Sequence, residues 1–368
     1  MCENCVLNDA VRECDTEVGE LPMKEASGVN GRPLRVTRTQ ILTFRRRVGA
    51  LDQRLPRGRR SLRHAAWAGL QDSMPRAALL SINARVEGTV SSTWEDPSLV
   101  QVWGPRYHVY VVAARDLTVF SLGRLPDSGK TRQTAEDLAA RLRAFLGAAR
   151  MRYDEAGQAL GVHGNTLRYA ALTGTLAIRW EGARLPTVWT VPPPEIDPAQ
   201  ASLELARRYL HIFGPATPEG FAKWAGIGAR KAAVVFDDLG SARIPVQTPS
   251  GDAWILGGDE PTIREPPGPV APARLLPSGD AYTLGMTSAD RALLVPDANR
   301  RRELWTPRVW PGAVLVAGKI VGTWRRAQGR VTIQTWQRLS RAAREAVIAE
   351  AESLPLPRAI GPVVVHWD

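Results

Sequence analysis

The sequence has few of the features that would mark a secreted or membrane-embedded protein. Its 368 residues include three cysteines, all within the first fourteen positions. That is too few to cross-link a chain of this size, and it predicts a reducing environment. No run approaches the roughly 18 to 20 apolar residues that a membrane-spanning helix needs, and the opening MCENCVLNDA lacks the pattern of a signal peptide. We therefore expect a globular, cytoplasmic protein of roughly two or three domains.

Histidine is also scarce, with five in the whole chain. Cys2 and Cys5 form a CxxC pair with Cys14 nearby, but a zinc site needs a fourth ligand, and the histidines are scattered along the sequence. The chain contains no GxxxxGK(S/T) phosphate-binding loop. These absences predict a protein that uses neither a metal ion nor a nucleotide cofactor.

Lysine is rare as well, so the positive charge of the chain comes from arginine. Five lysines and 43 arginines give a formal net charge of +11. The segment 1–34 carries seven acidic and three basic residues, which leaves a charge of +15 on the remainder. A GC-rich genome could explain the preference for arginine over lysine, but not the net balance. Because the guanidinium fork suits phosphates and guanine edges, nucleic acid is the leading predicted partner.

The charge is most concentrated just after an acidic start. Residues 1–33 are acidic and lack periodicity, which predicts a disordered tail. The segment 35–63 then contains ten arginines and one aspartate, within two predicted amphipathic helices. An uncompensated charge of this density favours an anionic partner, although a solvated helix face is the alternative. The arginines predicted to contact DNA phosphates are Arg45, Arg46, Arg47, Arg59, Arg60 and Arg63.

Three successive segments repeat the same order of helices followed by strand-like pieces, which is typical of winged-helix units. We predict an α+β protein with unit 1 at 34–130, unit 2 at 131–198 and unit 3 at 199–263. The segment 264–273, rich in proline and glycine, predicts a linker. The segment 274–368 alternates apolar and polar residues with glycines at its turns, and predicts a β-rich domain closed by an amphipathic helix.

Four blocks of the sequence resemble a known family when taken together. They are HAAWAGLQDSMPRAALLSINARV, ARRYLHIFGPATPEGFAKWAGI, LLPSGDAYTLGMTSADRALLV and VLVAGKIVGTWRR. In this order they are similar to blocks of the tandem winged-helix proteins that include the AlkZ/YcaQ-type DNA glycosylases. The resemblance covers the chain from about Leu34 to Leu354.

The resemblance implies a C-shaped protein in which three winged-helix units and a β-rich domain enclose a basic channel for duplex DNA. It also implies hydrolysis of the N-glycosidic bond of alkylated purines, chiefly guanine modified at N7, and the unhooking of interstrand crosslinks. Some members protect antibiotic-producing bacteria from their own DNA-alkylating product. The implied partner is double-stranded DNA carrying alkylated guanine, bound by a monomer that needs no cofactor.

The catalytic motif of the family is a glutamine, any residue, and then a glutamine or an aspartate. By resemblance it falls on Gln71, Asp72 and Ser73, so the first position matches and the third does not. A hydroxyl can orient water but is a poor base. Because an N7-alkylated guanine is already cationic and leaves readily, positioning of the water remains useful. Asp72 could help to stabilise an oxocarbenium-like sugar if it faces the channel.

Each of these residues also has a structural interpretation. Asp72 or Ser73 could cap a helix that starts near Pro75. Arg106 and His108 stand where the family has a polar strand close to the active site, but a single histidine on a strand is often simply packed. We expect Trp103 beside them to lie in the core. Arg106, His108, Arg325 and Arg326 complete the predicted DNA contacts.

Three hypotheses of different classes remain open from the sequence. The first is a monofunctional DNA glycosylase for bulky N7-alkylguanine adducts. The second is a winged-helix DNA-binding protein or regulator without catalytic activity, which the serine at the third motif position favours. The third is an interaction scaffold, which only the acidic segment suggests. A regulator usually reads a symmetric site as a dimer, and the sequence has no heptad segment, so the enzyme is preferred.

Overall fold

The computed structural model of the chain describes residues 34–74, 76–182, 184–327, 329–356 and 363–368. The predicted acidic tail and its three cysteines lie outside the described residues. The described chain contains both helices and strands, in agreement with the prediction of a mixed fold. None of the described helices is both long and apolar enough to cross a membrane.

The basic segment forms two helices. Strand β1 (Leu34–Arg35) leads into α1 (Arg38–Val48), and a turn separates it from α2 (Arg59–Ala65). Helix α1 begins where it does because Thr37 and Gln40 form a capping box, in which each side chain bonds the other residue's backbone amide. A two-residue strand β2 (Leu70–Gln71) then precedes α3 (Ala77–Arg85), whose residues are all buried.

A six-stranded sheet joins the hairpin of this first part to the segment that follows. The hairpin consists of β3 (Leu99–Trp103) and β4 (Val109–Ala113), and it leads into α4 (Leu117–Leu122). The next segment contains α5 (Lys130–Leu146), β5 (Met151–Arg152), α6 (Tyr153–Ala159), a 3-10 helix (Gly164–Thr173), β6 (Leu176–Arg179) and β7 (Thr187–Thr190). The strand order is β2-β4-β3-β6-β7-β5, and the single pair Gln101↔Ile178 links the two halves.

A third group repeats the pattern of three helices and a hairpin. It contains α7 (Pro198–Phe213), α8 (Pro218–Ala225), α9 (Ala229–Asp238), β8 (Arg243–Thr248), β9 (Gly251–Leu256) and α10 (Glu260–Arg264). Aromatic side chains from the three longer helices pack together, including Tyr209, Trp224 and Phe236. Strand β1 pairs in parallel with β8, so the start of the described chain belongs to this third sheet.

The C-terminal part is a five-stranded sheet with flanking helices. Its elements are β10 (Ala273–Leu276), α11 (Ser288–Leu294), α12 (Ala298–Leu304), β11 (Gly312–Val316), β12 (Lys319–Ala327), β13 (Arg330–Thr335), α13 (Arg341–Glu352) and β14 (Val364–Trp367). Strands β10 to β13 form an antiparallel meander, and β14 adds in parallel to β13. Helix α13 covers this sheet with Val347 and Ala351 buried against Trp324.

The meander differs in one respect from the prediction. GKIV and GTWRR were expected as separate pieces, but residues 319–326 belong to one strand, β12, and Gly318 lies in the turn before it. The pairing of β12 with β11 shifts by one residue at Val314 and Leu315, which forms a β-bulge. On the other side of the strand, Gly322 is needed because a side chain there would collide with the backbone of Gln334 on β13. One continuous strand therefore replaces the turn expected between the two pieces.

Candidate active site

The Gln71 to Ser73 motif lies at the end of β2, beside the outer strand of the hairpin. Gln71 pairs with Tyr110 across the sheet, and the backbone amide of Asp72 donates to the carbonyl of Val109 at 2.7 Å. Because side chains alternate along extended backbone, Gln71 and Ser73 share one side of the chain while Asp72 points to the other. The amide Nε2 of Gln71 donates to Oγ of Ser73 at 3.0 Å, which confirms that they lie together.

The orientation of the Gln71 amide is fixed by two donors. Its Oε1 accepts from Nη2 of Arg106 at 2.9 Å and from the hydroxyl of Tyr110 at 3.3 Å. An amide oxygen must face donors, so the amide nitrogen is left to face Ser73. Gly279 covers the other side, because a Cβ there would lie 3.1 Å from Nε2, and its φ of +77° suits glycine.

The segment that carries Gly279 is tied firmly to the motif. The next residue, Asp280, is buried and accepts from Nη1 and Nη2 of Arg85 at 2.7 and 2.8 Å. It also accepts from the hydroxyl of Ser81 at 2.7 Å. The charge of Arg85 is the main effect that lowers the pKa of Asp280 against its burial. The helix after the motif and the loop that covers the motif are thus joined by a paired, fully hydrogen-bonded carboxylate.

The tip of the β3–β4 hairpin directs Arg106 at Gln71. Arg106 and Tyr107 both have left-handed backbone, with φ of +56° and +59°, which is unusual for side chains of this size. Gly226 allows this turn, since a Cβ there would lie 3.0 Å from the Arg106 backbone. Nη1 of Arg106 also lies 3.4 Å from the sulfur of Met286. The surroundings therefore maintain a costly turn that places the guanidinium on the motif.

Ser73 is also bonded to His108, with 2.9 Å between Oγ and Nδ1. Desolvation, followed by the charges of Arg106, Arg168 and Arg124, lowers the pKa of His108 to about 4. More than a third of the residue is accessible to solvent, yet protein atoms surround enough of the ring to disfavour its charge. The imidazole is consequently neutral near pH 7, and Nδ1 can accept a hydrogen bond.

Asp72 faces the interior, and this corrects the prediction that it acts directly on the sugar. The residue is 1% exposed. Its Oδ1 accepts from the backbone amide of Ala78 at 3.0 Å and its Oδ2 from Nε2 of Gln101 at 3.0 Å. Burial raises the pKa of Asp72 to about 6 despite these bonds. The amide of Ala78 is in the first turn of α3, so the alternative role at a helix start is what the structure shows for Asp72.

The three consecutive arginines of α1 are bonded within the protein. Neighbouring residues on a helix diverge by about 100°, so three in a row cannot all face solvent on a packed helix. Arg45 is buried, donates to the carbonyl of Gly214 at 3.0 Å and pairs with Asp290 at 3.2 Å. Arg46 is buried and pairs with Asp52 at 2.7 Å. The prediction that these two arginines contact DNA is corrected, because their guanidinium groups are already paired inside the protein.

The other predicted cations remain accessible to different degrees. Arg47 is partly exposed and pairs with Glu265 at 2.8 Å. Arg59 and Arg60 on α2 are exposed, and Arg63 is half-buried. These α2 arginines stay candidates for phosphate contacts.

Two further arginines come from the C-terminal sheet. Arg325 is exposed on β12 and donates to the carbonyl of Val309 at 3.1 Å. Arg326 is half-buried, and its charge offsets a small part of the rise that burial causes in the pKa of Asp72, so it lies near the motif. Trp103 is 1% exposed, which confirms its predicted place in the core.

Sequence reasoning missed four residues that shape the site: Tyr110, Arg124, Arg168 and Gly279. Arg124 is buried and donates to the carbonyls of Trp103 and Ala225, holding the hairpin against α8. Of these four residues, only Gly279 could have been identified from the sequence, because it is the glycine of a turn-like PSGD at 277–280. Among the described residues, no group of three or more His, Cys, Asp or Glu side chains could hold a metal ion.

Comparisons with known proteins assign the chain to a family. The model of the AlkZ-like DNA glycosylases matches residues 62–355. Since the match covers most of the sequence, the chain belongs to the AlkZ-like DNA glycosylase family.

A sequence comparison and a structure comparison, both with a protein of Streptomyces sahachiroi, make the likeness more specific. An interstrand DNA cross-link repair glycosylase from Streptomyces sahachiroi is 27% identical over 169 residues, which is 45% of this chain and 44% of that protein. The alignment thus spans less than half of the relative. The solved structure of Streptomyces sahachiroi DNA glycosylase AlkZ matches with a TM-score of 0.74 at 18% identity, covering 91% of this chain and 100% of that one. The mixed helix and strand fold is therefore shared.

Proposed function

We propose that this protein is a monofunctional DNA glycosylase that hydrolyses the N-glycosidic bond of bulky N7-alkylguanine adducts in duplex DNA, including interstrand crosslinks. The observation that carries the proposal is the bonded series Arg106, Gln71, Ser73 and His108, which includes the positions on which the family motif falls by resemblance. The name of the Streptomyces sahachiroi relative, an interstrand DNA cross-link repair glycosylase, supports crosslinks as substrates. In an antibiotic producer, such an activity would provide self-resistance.

The chemistry requires a held water more than a strong base. Alkylation at N7 gives the guanine a positive charge, so the glycosidic bond breaks toward a neutral leaving group and an electron-poor sugar. A water fixed close to C1′ then supplies most of what catalysis needs. Gln71 and Ser73 are the hydrogen-bonding groups that we assign to this water, and Asp72 supports them by holding the start of α3.

We further propose that three tandem winged-helix units and the β-rich domain form a C around a basic channel for DNA. The repeated order of helices followed by a hairpin supports the winged-helix units. The basic channel is supported by accessible arginines, which are Arg59, Arg60 and Arg63 from α2 and Arg325 from β12. The protein would act as a monomer in the cytoplasm, on nucleoid DNA, with phosphate contacts that carry no sequence preference.

A defined lesion tests the proposal. Duplex DNA with a single 7-methylguanine, or with a nitrogen-mustard crosslink between guanines, is incubated with the protein and then treated with alkali to cleave abasic sites. We expect strand cleavage at the modified guanine and unhooking of the crosslink, both strongly reduced in Gln71→Ala. Tight binding of both duplexes without any abasic product would instead support the non-catalytic DNA-binding protein, which the serine at position 73 favours.

A further inference from the structure

The hydroxyl of Ser73 has a fully defined hydrogen-bonding environment. A serine hydroxyl has one proton and two lone pairs. One lone pair accepts from Nε2 of Gln71 at 3.0 Å, because the oxygen of that amide is occupied by Arg106 and Tyr110. Gln71 therefore cannot take the hydroxyl proton, and His108 lies 2.9 Å away to accept it. One lone pair of Oγ is left over.

We propose that Ser73 and His108 together replace the third residue of the family motif, with His108 as the base and Ser73 as the group that touches the attacking water. This inference rests on the proposed glycosylase function. A carboxylate at the third position would accept a water proton directly. Here the free lone pair of Ser73 Oγ accepts that proton while the hydroxyl proton moves to Nδ1 of His108.

The step balances without any other reactant. The water oxygen forms a bond to C1′, and the C1′–N9 bond breaks with its electron pair moving to the purine, which cancels the charge at N7. One proton passes from water to Oγ of Ser73, and another from Oγ to Nδ1 of His108. The resulting imidazolium releases its proton to solvent, and the charges of Arg106, Arg168 and Arg124 around the ring favour that release.

The basicity of His108 fits this role. Its pKa of about 4 is close to the value of about 3.9 for an unperturbed aspartate. The pair therefore offers the water a proton acceptor comparable in strength to the aspartate that is one of the two residues the resemblance implies at this position. Such a weak base is sufficient because the leaving group is already cationic.

A contact with DNA alone would not need this geometry. A phosphate needs only a donor from Nε2, the outer ring nitrogen, whereas here Nδ1 lies 2.9 Å from a hydroxyl that already accepts from Gln71. The proposed transfer requires the tautomer with hydrogen on Nε2, since Nδ1 must accept from Ser73. That tautomer is measurable in the free protein and does not depend on any activity assay.

A double-mutant cycle tests the pair. Single-turnover excision of 7-methylguanine is measured with saturating protein for the wild type, Ser73→Asp, His108→Ala and the double variant, with duplex affinity measured separately. We expect His108→Ala to slow excision about 100-fold in the wild-type background and only a few-fold in the Ser73→Asp background. Affinity should change little. The matched control is His366→Ala, an exposed histidine of β14, which should excise at the wild-type rate.

Several outcomes would overturn the inference. An equal loss in both backgrounds, or a loss seen only as weaker DNA binding, would make His108 an ordinary DNA contact. Nitrogen-15 NMR of the free protein should show hydrogen on Nε2 of His108, and hydrogen on Nδ1 would exclude the transfer whatever the variants do. Excision that survives His108→Ala overturns this inference alone. A wild type with no excision overturns the proposed function and the relay together.

Discussion

Helices α1 and α2 come from one basic segment, yet their arginines differ in burial and in hydrogen-bonding partners. Arg45 and Arg46 of α1 are buried and paired within the protein, whereas Arg59 and Arg60 of α2 are exposed. Helix α1 packs beside the third group of helices and the C-terminal part, and its guanidinium groups satisfy carbonyls and carboxylates there. Charge density along a sequence therefore does not show which charges are available to a partner.

The same division separates neighbouring residues of the motif. Gln71 and Ser73 bond to each other on one side of the strand, and Asp72 is buried on the other. In the basic helices and in the motif alike, the side chains that point inward stabilise the fold, and those that point outward remain available to a ligand. Variants on the two sides should therefore fail in different assays.

The largest effect is expected for an inward arginine. Arg46→Met leaves the carboxylate of Asp52 without its partner in a poorly solvated place. Removing one member of a buried pair costs about 3 to 5 kcal/mol of unfolding free energy, measurable by urea denaturation. Arg60→Met on the exposed helix should change stability by no more than about 0.5 kcal/mol. Equal stability of the two variants would erase the distinction between the helices.

The next effect concerns the outward side of the motif. Gln71→Ala removes the group that positions Ser73, and the excision rate of an N7-methylguanine duplex should fall about 100-fold, equivalent to about 2.7 kcal/mol. DNA affinity and thermal stability should remain close to those of the wild type. Full activity in Gln71→Ala would remove the motif as the catalytic centre.

Asp72→Ala should act mainly on stability. It leaves the backbone amide of Ala78 without an acceptor and removes one of the two acceptors of Gln101 Nε2, which keeps the carbonyl of Trp180, at a cost of about 2 kcal/mol in unfolding free energy. Ser73→Ala, one residue along, should cost less than about 1 kcal/mol because Ser73 is less buried. A stable Asp72→Ala that has lost excision completely would show that Asp72 acts on the substrate after all.

Asp72 and His108 should give opposite pH profiles of stability. The folded-state pKa of Asp72, about 6, exceeds its unfolded value, so its contribution is present at low pH and is lost as pH rises through 6. His108, with a folded-state pKa of about 4, titrates below its unfolded value and destabilises the fold as pH falls from about 6.5 to 4. Unfolding curves of Asp72→Asn and His108→Gln against the wild type should differ with opposite slopes in this range.

The smallest effect on the folded protein is expected for α2. Replacing Arg59, Arg60 and Arg63 with serine should leave stability nearly unchanged and reduce the dependence of log K on log salt. The slope should drop by about 0.9 for each arginine that contacts a phosphate. Arg341→Ser, an exposed residue of α13, provides the control and should keep the wild-type slope. An unchanged slope in the triple variant would place the DNA elsewhere.

Local patterns in the sequence predicted most of the helices and strands, because periodicity reports which face of each element is buried. The motif came instead from the resemblance to the family, as did the choice of Arg106 and His108. Periodicity alone would not have distinguished these residues from other polar residues on strands. The division into domains remains a prediction.

Long-range contacts are what the sequence could not reveal. Arg45 bonds to Gly214, which is 169 positions away, and Gly279 covers Gln71 from the C-terminal part of the chain. Whether a charge points inward depends on such distant partners, and no local pattern encodes them. For the same reason, the inward direction of Asp72 required the position of Gln101 on β3.

The ion pair between Arg85 and Asp280 joins positions 195 residues apart. During synthesis, the motif and the basic helices leave the ribosome long before the loop that covers the motif, and domains fold as they emerge. A nascent or truncated chain therefore contains Gln71 and both basic helices before it contains Gly279 and Asp280. The cover over Gln71 and the buried partner of Arg85 are completed only after about three quarters of the chain has been made.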